Sequence, residues 1–323
     1  MVGVLRGGPS SEYDVSLKSG ATVLNSLDRE RFDPRDIFID RQGAWHSHGV
    51  VVTPEKALRG VDVAINVIHG EYGEDGSLHQ ILDPLYVPYT GSNAPVSKLV
   101  FNKQLTKEAV KKFGVKVPHG VVVNYPRRGA EDLEELARRI FTRFPQPSII
   151  KPVIGGSSVG MTIVEDFHTL LVGLEEAFKI SPQILVEEFI RGREATVGVI
   201  DNFRNEKTYA LMPVEIIPPK EHKFFSYGAK YSGESTERVP GHFTHSQKQE
   251  LADIAKAVHE NLGLGHYSRS DFIVSRRGIY FLEVNNAAAV GMTEESLMPK
   301  AINAVGSKLS EFFEHVINLA KKR

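Results

Sequence analysis

The sequence predicts a mixed fold with a parallel α/β unit first, a small α+β unit in the middle and an antiparallel α+β unit last. Apolar strand-like runs alternate with helical patterns in the first part of the chain, which is typical of a parallel sheet with crossover helices. Between residues 184 and 217, strand-like runs follow one another without intervening helices, which is typical of antiparallel pairing. The 323 residues suffice for two or three domains.

The N-terminal unit begins with a strand, a glycine loop and a helix. Three strands are predicted, at residues 2–5, 36–39 and 61–68. The first strand leads into a loop containing Gly7 and Gly8, followed by a helical face from Val15 to Leu27. The third strand leads into the polar loop 69–76. Ligands of parallel α/β sheets gather at the carboxyl ends of the strands, so both loops are candidate site segments.

The middle and last units are predicted from shorter patterns. Helices are predicted at 97–113, 131–144, 170–178, 246–262 and 309–319. Strands are predicted at 115–123, 148–152, 161–164, 184–190, 195–200 and 209–217, with a hairpin at 269–281. Residues 224–240 have little periodicity, and a long irregular stretch of this kind is usually functional.

Composition excludes several classes of function. Thirty-nine Lys and Arg residues balance forty Asp and Glu residues, so the net charge of -1 creates no global field for nucleic acid or an acidic membrane. The absence of cysteine removes disulfides, thiolate metal sites and a Cys nucleophile, and fits a reducing compartment. No apolar run approaches a signal-peptide core or a membrane span. We therefore expect a cytoplasmic protein without nucleic-acid or membrane partners.

The predicted C-terminal hairpin carries polar residues at every second position of its outer ends. Arg269 and Asp271 share one face of its first strand, and Glu283 and Asn285 share one face of the second. A three-residue loop at 276–278, with glycine at the position of positive φ, would pair the two carboxylates with each other. Opposed carboxylates repel unless a cation lies between them, and such oxygen ligands suit Mg²⁺ completed by phosphate oxygens. A different loop length would instead leave edge carboxylates in water, and the pattern alone leaves both interpretations open.

A glycine-serine run at 155–160 follows Lys151, which closes an apolar strand. Glycines let backbone N–H groups approach phosphate oxygens, while the hydroxyls of Ser157 and Ser158 add donors. No Lys-Ser or Lys-Thr pair follows, so the run is not a Walker A loop. It is equally typical of a flexible hairpin turn. Lys103, on a Lys-rich helix, is either a second phosphate lysine or a solvated surface charge.

Glu187 and Glu188 are adjacent in a predicted strand, shortly before Glu194. Because adjacent strand residues point to opposite faces, we expect one of the pair to face a pocket. The other glutamate then faces solvent or a salt bridge.

Seven segments occur in the order and at the spacing of the motifs of a known family. They are residues 7–12 with 15–17, 69–76, 88–92, 151–152 with 156–160, 187–188 with 192–194, 229–231, and 269–285. On these residues the chain resembles the ATP-grasp superfamily, and within it the D-alanine:D-alanine ligases. The resemblance implies the ATP-grasp fold, with a Rossmann-like N-terminal subdomain at 1–91, a central α+β subdomain at 92–182 and a C-terminal antiparallel-sheet subdomain at 183–323.

The resemblance also implies an activity and its partners. ATP phosphorylates the carboxylate of one D-alanine, and the amine of a second D-alanine attacks the acyl phosphate to form the dipeptide used in peptidoglycan synthesis. The implied cofactors are ATP and two Mg²⁺ ions, for which Mn²⁺ could substitute. The family further implies a homodimer.

The matching positions carry implied roles. Implied metal ligands are Asp271, Glu283 and Asn285. Implied ATP-binding residues are Lys103, Lys151, Ser158, Glu187, Glu194 and Lys230, with Glu187 near adenine and Glu194 near ribose. Implied D-alanine-binding residues are Glu12, His69, Arg269, Gly291, Ser296 and Leu297. Implied catalytic residues are Glu12, Ser157, Tyr231 and Arg269, of which Arg269 stabilises the developing oxyanion.

One segment departs from the family pattern. From Asn285 onward the family usually has Asn-Thr-x-Pro-Gly-Met-Thr, whereas residues 285–293 lack the proline and add two residues. Because proline fixes φ, we expect a looser link that displaces Gly291 and slows ligation while ATP and Mg²⁺ still bind. Two alternatives therefore stay open: a ligase for another nucleophile such as D-lactate or D-serine, and an ATP-binding protein impaired in turnover. Lys230 and Tyr231 favour an amine nucleophile.

Overall fold

Three β-sheets organise the protein, of which the computed structural model describes residues 1–126, 132–156, 160–218 and 236–322. The first sheet contains β1 (Val2–Gly7), β2 (Pro34–Ile39), β3 (Trp45–Ser47), β4 (Val50–Val52) and β5 (Val63–Asn66). Its order is β4-β3-β2-β1-β5, and β1 runs parallel to both β2 and β5. The predicted parallel α/β unit is therefore confirmed. The antiparallel edge pair β3 and β4 was not predicted, because three-residue strands are too short to show a period.

Helix α1 (Tyr13–Ser26) packs on this sheet, while α2 (Pro54–Ala57) and α3 (His79–Leu82) are single turns. The two faces of the sheet carry different cores, because side chains alternate along each strand. Val2 and Val4 of β1 face one core, and Leu5 faces the other.

The helix predicted at 97–113 is in fact two helices, α4 (Ala94–Phe101) and α5 (Lys103–Lys111). Asn102 separates them in an extended conformation, and its side chain accepts a hydrogen bond from the Leu105 backbone N–H. An Asn cap of this kind starts a new helix, which overrides the continuous apolar period. Both helices pack against the C-terminal sheet rather than the central one.

The central sheet contains β6 (Gly120–Asn124), β7 (Ser148–Pro152), β8 (Thr162–Val164) and β9 (Gln183–Glu188) in the order β6-β9-β7-β8. Helices α6 (Leu133–Arg143) and α7 (Phe167–Ile180) enclose its core. The sheet does not follow the predicted range 92–182. Strand β9 lies beyond residue 182 yet pairs with β6 and β7, so this sheet continues to Glu188.

The C-terminal sheet contains β10 (Arg193–Phe203), β11 (Glu206–Ala210), β12 (Val214–Ile217), β13 (Thr236–Arg238), β14 (Tyr267–Ser275) and β15 (Gly278–Asn285). Its order is β13-β12-β10-β14-β15, with β11 also paired to β10. All these pairings are antiparallel, as predicted. The run predicted as one strand at 209–217 is divided between β11 and β12. Most of the irregular stretch predicted at 224–240 lies outside the described residues.

Helices cover both faces of the C-terminal sheet. Helix α8 (His245–Leu262) packs with α4 and α5 on one face, against alternate residues of β10 such as Val197 and Val199. Helices α9 (Leu297–Ala304) and α10 (Leu309–Ala320) join the other face to the N-terminal sheet through one continuous core. No helix in the described ranges is long and apolar enough to cross a membrane.

Candidate functional site

A pocket lies between the central sheet and the C-terminal sheet. Lys151 and Glu187 line it from β7 and β9, and Asp271 and Glu283 line it from β14 and β15. Glu194, at the start of β10, also lines this pocket. Residues that the sequence assigned to phosphate, nucleotide and metal binding therefore face one space from two sheets.

The hairpin of β14 and β15 has the predicted pairing at its outer end. Asp271 lies opposite Glu283, and Arg269 lies opposite Asn285. The loop differs from the prediction. Ser275 pairs with Gly278, so only two residues form the loop instead of three. A register shift beyond Asp271 restores the predicted pairs, and both Leu282 and Glu283 of β15 line the pocket. The predicted three-residue loop is therefore wrong, since a β-bulge supplies the additional residue.

Asp271 sits in a dense hydrogen-bonding environment. Arg269 donates to it from Nε and Nη2 to the two carboxylate oxygens, each at 3.1 Å. Thr196 Oγ1 donates to Oδ1 at 2.5 Å, and Asn285 Nδ2 donates to Oδ2 at 3.1 Å. The fork of Arg269 holds the carboxylate in a defined plane, because two parallel bonds fix its orientation.

Lys103 reaches the second carboxylate of the hairpin. Its Nζ lies 3.8 Å from Glu283 Oε2 and donates a hydrogen bond to the Gly155 carbonyl. The Lys103 backbone N–H also donates to the Val153 carbonyl at 2.9 Å, which ties the start of α5 to the segment after β7. The alternative of a solvated surface charge is therefore wrong, because the Lys103 side chain is only 11% exposed.

Glu187 is buried between two lysines. Lys151 Nζ lies 2.5 Å from Oε2, and Lys107 Nζ contacts Oε1. Burial works against ionisation of Glu187, but the two ammonium groups outweigh it and lower the pKa of this carboxyl. Sequence reasoning missed Lys107. Its one signal is its spacing of four residues from Lys103, which places both lysines on one face of a helix.

The adjacent Glu188 has a different partner, as expected for alternating strand residues. Arg277 Nη2 lies 3.0 Å from Glu188 Oε2, and the His119 backbone N–H donates to Oε1 at 3.0 Å. Of the two alternatives predicted for the second glutamate, solvent or a salt bridge, Glu188 has the salt bridge; the expectation that only one of the pair faces a pocket is wrong, because Glu187 and Glu188 both line the first pocket.

A second, more polar pocket adjoins the first and shares Arg269 and Leu297 with it. The residues predicted to contact substrate all line it: Glu12, His69, Arg269, Gly291, Ser296 and Leu297. Two N-terminal loops form one wall, because Ser10 Oγ donates to the His69 carbonyl at 2.5 Å. These are the loops at the carboxyl ends of β1 and β5, as the parallel-sheet prediction required.

Two titratable groups of this second pocket are shifted toward their neutral forms. Burial, together with the charge of Arg269, lowers the pKa of His69 to about 4. Burial, together with the charge of Glu12, raises the pKa of Glu74 to about 8. Glu74 Oε1 accepts a hydrogen bond of 2.6 Å from the Gly70 backbone N–H. Glu74 is a site residue that was not singled out from the sequence, although it lies within the predicted loop 69–76.

The segment after β15 is packed rather than loose. Ala287 to Ala289 form a 3-10 turn, and the Asn286 side chain accepts a hydrogen bond from the Ala289 backbone N–H at 3.2 Å. Ala287, Ala288 and Val290 are buried. The expectation of a loose link is therefore wrong, because small side chains and an Asn cap replace the constraint of the missing proline.

Four predicted site residues lie outside the described part of the chain: Ser157, Ser158, Lys230 and Tyr231. Within the described part, no three His, Cys, Asp or Glu side chains cluster as a metal site. The predicted metal set differs from such a cluster because it contains two carboxylates and an amide. The first pocket combines Lys151 with an acidic hairpin, one carboxylate of which, Glu283, also lies near Lys103. The second pocket is lined by charged and polar groups that could bind a small zwitterion.

Two family models match this chain, one in its N-terminal part and one over most of the remainder. The family described as D-ala D-ala ligase N-terminus matches residues 1–56, and the family described as D-ala D-ala ligase C-terminus matches residues 109–318. A D-alanine–D-alanine ligase from Syntrophotalea carbinolica is 35% identical over 324 residues, covering 100% of this chain and 96% of the relative. A ligase of the same name from Geobacter sulfurreducens is 36% identical, and the match covers 98% of this chain and 92% of the relative.

Solved structures with the same architecture cover nearly the whole chain. The VanG D-Ala:D-Ser ligase from Enterococcus faecalis superposes with a TM-score of 0.84 at 28% identity, covering 99% of this chain and 98% of that one. The D-alanine–D-alanine ligase from Bacillus anthracis superposes with a TM-score of 0.77 at 27% identity, and the match covers 99% of this chain and 97% of that one.

Proposed function

The chain belongs to the D-alanine–D-alanine ligase family and has the ATP-grasp fold, and on that premise we propose that it joins two D-alanine molecules at the expense of ATP. A carboxylate oxygen of the first D-alanine attacks the γ-phosphorus of ATP and releases ADP. The amine of the second D-alanine then attacks the acyl carbon, loses a proton, and displaces phosphate. The product is D-alanyl-D-alanine, a precursor of peptidoglycan.

The observation that carries this proposal is the junction of the two pockets at Arg269. The first pocket is lined by Lys151, and Lys103 lies near its Glu283, so it suits phosphate groups. The second, more polar pocket lies beside it, and Arg269 lines both pockets. A carboxylate in the second pocket would therefore meet the terminal phosphate of a nucleotide beside a guanidinium. Positioning and neutralisation of charge dominate phosphoryl transfer, and these residues supply both.

Each substrate group has a partner of suitable charge. We propose that Glu12 holds the ammonium of the first D-alanine and that Ser296 and Leu297 hold the carboxylate of the second. Neutral His69 lies beside the first substrate without adding charge. Arg269 stabilises the oxyanion of the tetrahedral intermediate, and Glu187 and Glu194 lie on the nucleoside side of the first pocket.

The residues present fit two Mg²⁺ ions, or Mn²⁺ in their place. Asp271 and Glu283 lie opposite each other on adjacent strands, and Asn285 is hydrogen-bonded to Asp271, so hard oxygen ligands converge at one end of the hairpin. We propose that these three residues hold the ions, which when bound neutralise the phosphate charge of ATP.

The remaining predictions from the sequence stay proposals. We propose that Ser158 and Lys230 bind ATP, that Ser157 and Tyr231 are catalytic, that three subdomains form the enzyme, and that it is a cytoplasmic homodimer. The sheets favour ending the central subdomain at Glu188 rather than at residue 182.

D-serine is the second candidate for the attacking amine. The similarity to the VanG D-Ala:D-Ser ligase, at 28% identity, supports it. An impaired ATP-binding protein is less well supported, because the segment 286–290 is packed and Gly291, Ser296 and Leu297 all line the second pocket.

The function is tested by measuring ADP release and dipeptide formation with D-alanine alone, with D-serine added and with D-lactate added. We expect D-alanine-dependent ADP release, with D-alanyl-D-alanine as the product. Asp271→Asn and Glu283→Gln should each lower kcat by at least about 100-fold, since each removes a charge that offsets the metal ions.

The conservative control is Glu175→Gln, an exposed residue of α7 far along the chain from either strand of the hairpin. It should leave the rate unchanged. ADP release that does not depend on D-alanine, or a product containing only D-serine or D-lactate as the second unit, would contradict the proposed substrate.

A further inference from the structure

Lys107 forms a buried charge cluster with Glu187 and Lys151 at the edge of the first pocket. The Lys107 side chain is 3% exposed and that of Glu187 is 1% exposed. Of these three residues, Lys151 and Glu187 line the pocket, while Lys107 does not line it and contacts Glu187 Oε1 from α5. Lys107 is therefore placed to act on a ligand through Glu187 and not by contact.

The cluster contains two ammonium groups and one carboxylate, so it is not neutral when both lysines are protonated. Each oxygen of Glu187 has its own lysine, Lys107 on Oε1 and Lys151 on Oε2. If Glu187 had only Lys151 as its partner, the pair would be neutral and the ammonium of Lys151 would be held by a full opposing charge. The second lysine removes that neutrality.

Burying an additional charge is costly unless another group compensates for it. Burial lowers the pKa of Lys107 to about 7, the charge of Glu187 works to raise this pKa, and the charge of Lys151 lowers it further. A chain that needed only to anchor α5 to β9 could do so with an apolar side chain. The retained charge instead suits a pocket that receives an anion.

We propose that Lys107 is a positioning residue that leaves Lys151 with net positive charge for the phosphates of the nucleotide. Lys107 shares the Glu187 carboxylate, and Lys151 is thereby able to exchange part of its contact with Glu187 for phosphate oxygens. This inference rests on the proposed function only in requiring that a nucleotide binds in the first pocket, and it deepens that function by assigning a role to a residue outside the pocket lining.

The test compares the binding of ADP and adenosine to the full chain by calorimetry. Lys107→Met should weaken ADP binding by about tenfold, because the cluster loses its net charge, and should change adenosine binding less than about twofold. Lys107→Arg keeps the charge and should bind ADP within about threefold of the original protein. Lys111→Met, on an exposed position one turn further along α5, is the matched control and should change neither affinity.

A double variant tests the charge argument directly. Lys107→Met combined with Glu187→Gln again leaves Lys151 with an uncompensated charge, so the ratio of ADP to adenosine affinity should return toward that of the original protein. A purely structural role predicts a different pattern, in which Lys107→Met weakens ADP and adenosine equally or the double variant is worse than the single one. Either result would overturn the inference.

The outcomes separate this inference from the proposed function. If the protein without substitutions binds neither ADP nor adenosine, the proposed function is contradicted. A protein that binds ADP equally well with and without Lys107 contradicts the inference alone. Thermal unfolding of each variant without ligand identifies any loss of folding, and in that case Lys107→Arg and the double variant still report the effect of charge.

Discussion

Glu74 is a residue whose ionisation is controlled by its surroundings. It is buried beside Glu12 and lines the second pocket, and its pKa is raised from 4.5 to about 8. At neutral pH this carboxyl is therefore largely protonated. A neutral Glu74 adds no charge beside Glu12, which lines the same pocket.

Replacing Glu74 by Gln tests this assignment through stability. Between pH 4.5 and 8 the native protein binds more protons at Glu74 than the unfolded chain does, so the free energy of unfolding falls as the pH rises and levels off above about 8. Gln does not ionise and still offers an oxygen to the Gly70 N–H. We expect Glu74→Gln to raise the Tm at pH 8 by roughly 3 to 6 °C relative to the original protein, with a smaller difference at pH 5.

The matched control for this prediction is Glu71→Gln, which changes an exposed carboxyl of the same loop. Its Tm should follow the original protein at each pH. If Glu74→Gln shows the same pH dependence of Tm as the original protein, Glu74 ionises normally in the folded state.

At the scale of single elements, the segment between β15 and α9 decides how the second pocket is closed. A Cβ atom added to Gly291 would lie 2.8 Å from Ser296 Oγ, which is too close for either atom to stay in place. Ser296 Oγ is hydrogen-bonded to Thr293 Oγ1 at 2.8 Å. The glycine therefore allows the chain to pass directly against the residue proposed to hold the second carboxylate.

Gly291→Ala should raise the KM for the second D-alanine by about tenfold while leaving the affinity for ADP unchanged, because the added methyl displaces Ser296 and not the first pocket. Steady-state kinetics over a range of D-alanine concentrations, with ADP calorimetry alongside, measure both quantities.

A double variant provides the control for Gly291→Ala. If the methyl acts through Ser296, then adding Gly291→Ala to Ser296→Ala should cost much less than adding it to the original protein. Fully additive losses would mean that the methyl disturbs some other part of the pocket.

At the scale of the whole molecule, the cores are divided unequally among the three sheets. One core joins the N-terminal sheet to the C-terminal sheet through α9 and α10. The central sheet has its own core, whose buried residues run from Val123 to Val186. The first pocket lies between these two parts, so a nucleotide would contact Lys151 on one side and Asp271 on the other. Its binding should couple elements that are otherwise packed separately.

Hydrogen exchange tests this coupling. Saturating ADP with Mg²⁺ should increase the protection of backbone amides in β7 and β9 by tenfold or more, since a ligand that binds only the native state lowers the population of locally open states. Strands β1 and β2, which belong to the N-terminal sheet, should change little. Lys151→Met removes a proposed phosphate contact and should abolish most of the effect, whereas equal protection of all three sheets would contradict a separate central unit.

Much of the fold and of the site could be predicted because the relevant signals are local. The structure has the predicted alternation of strands and helices in the first part of the chain. It also has the predicted pairs of polar residues on β14 and β15. The break at Asn102, the short strands β3 and β4, and the bulge in β15 could not be predicted, since capping, edge pairing and bulges depend on partners elsewhere in the chain. The site residues were predicted through family motifs, and Lys107 and Glu74 were missed because their importance arises from burial.

The sequence by itself determined the order of the elements and the residue types available to the site, because period, turn chemistry and charge are properties of neighbouring residues. The tertiary structure decided which charges are buried together. It placed Lys107 on Glu187 and packed the segment after Asn285 with buried alanines. It also buried Glu74 beside Glu12, so that burial first and the charge of Glu12 second raise the pKa of Glu74. The strength of an electrostatic interaction depends on distance and solvent exposure, and only the folded chain sets these.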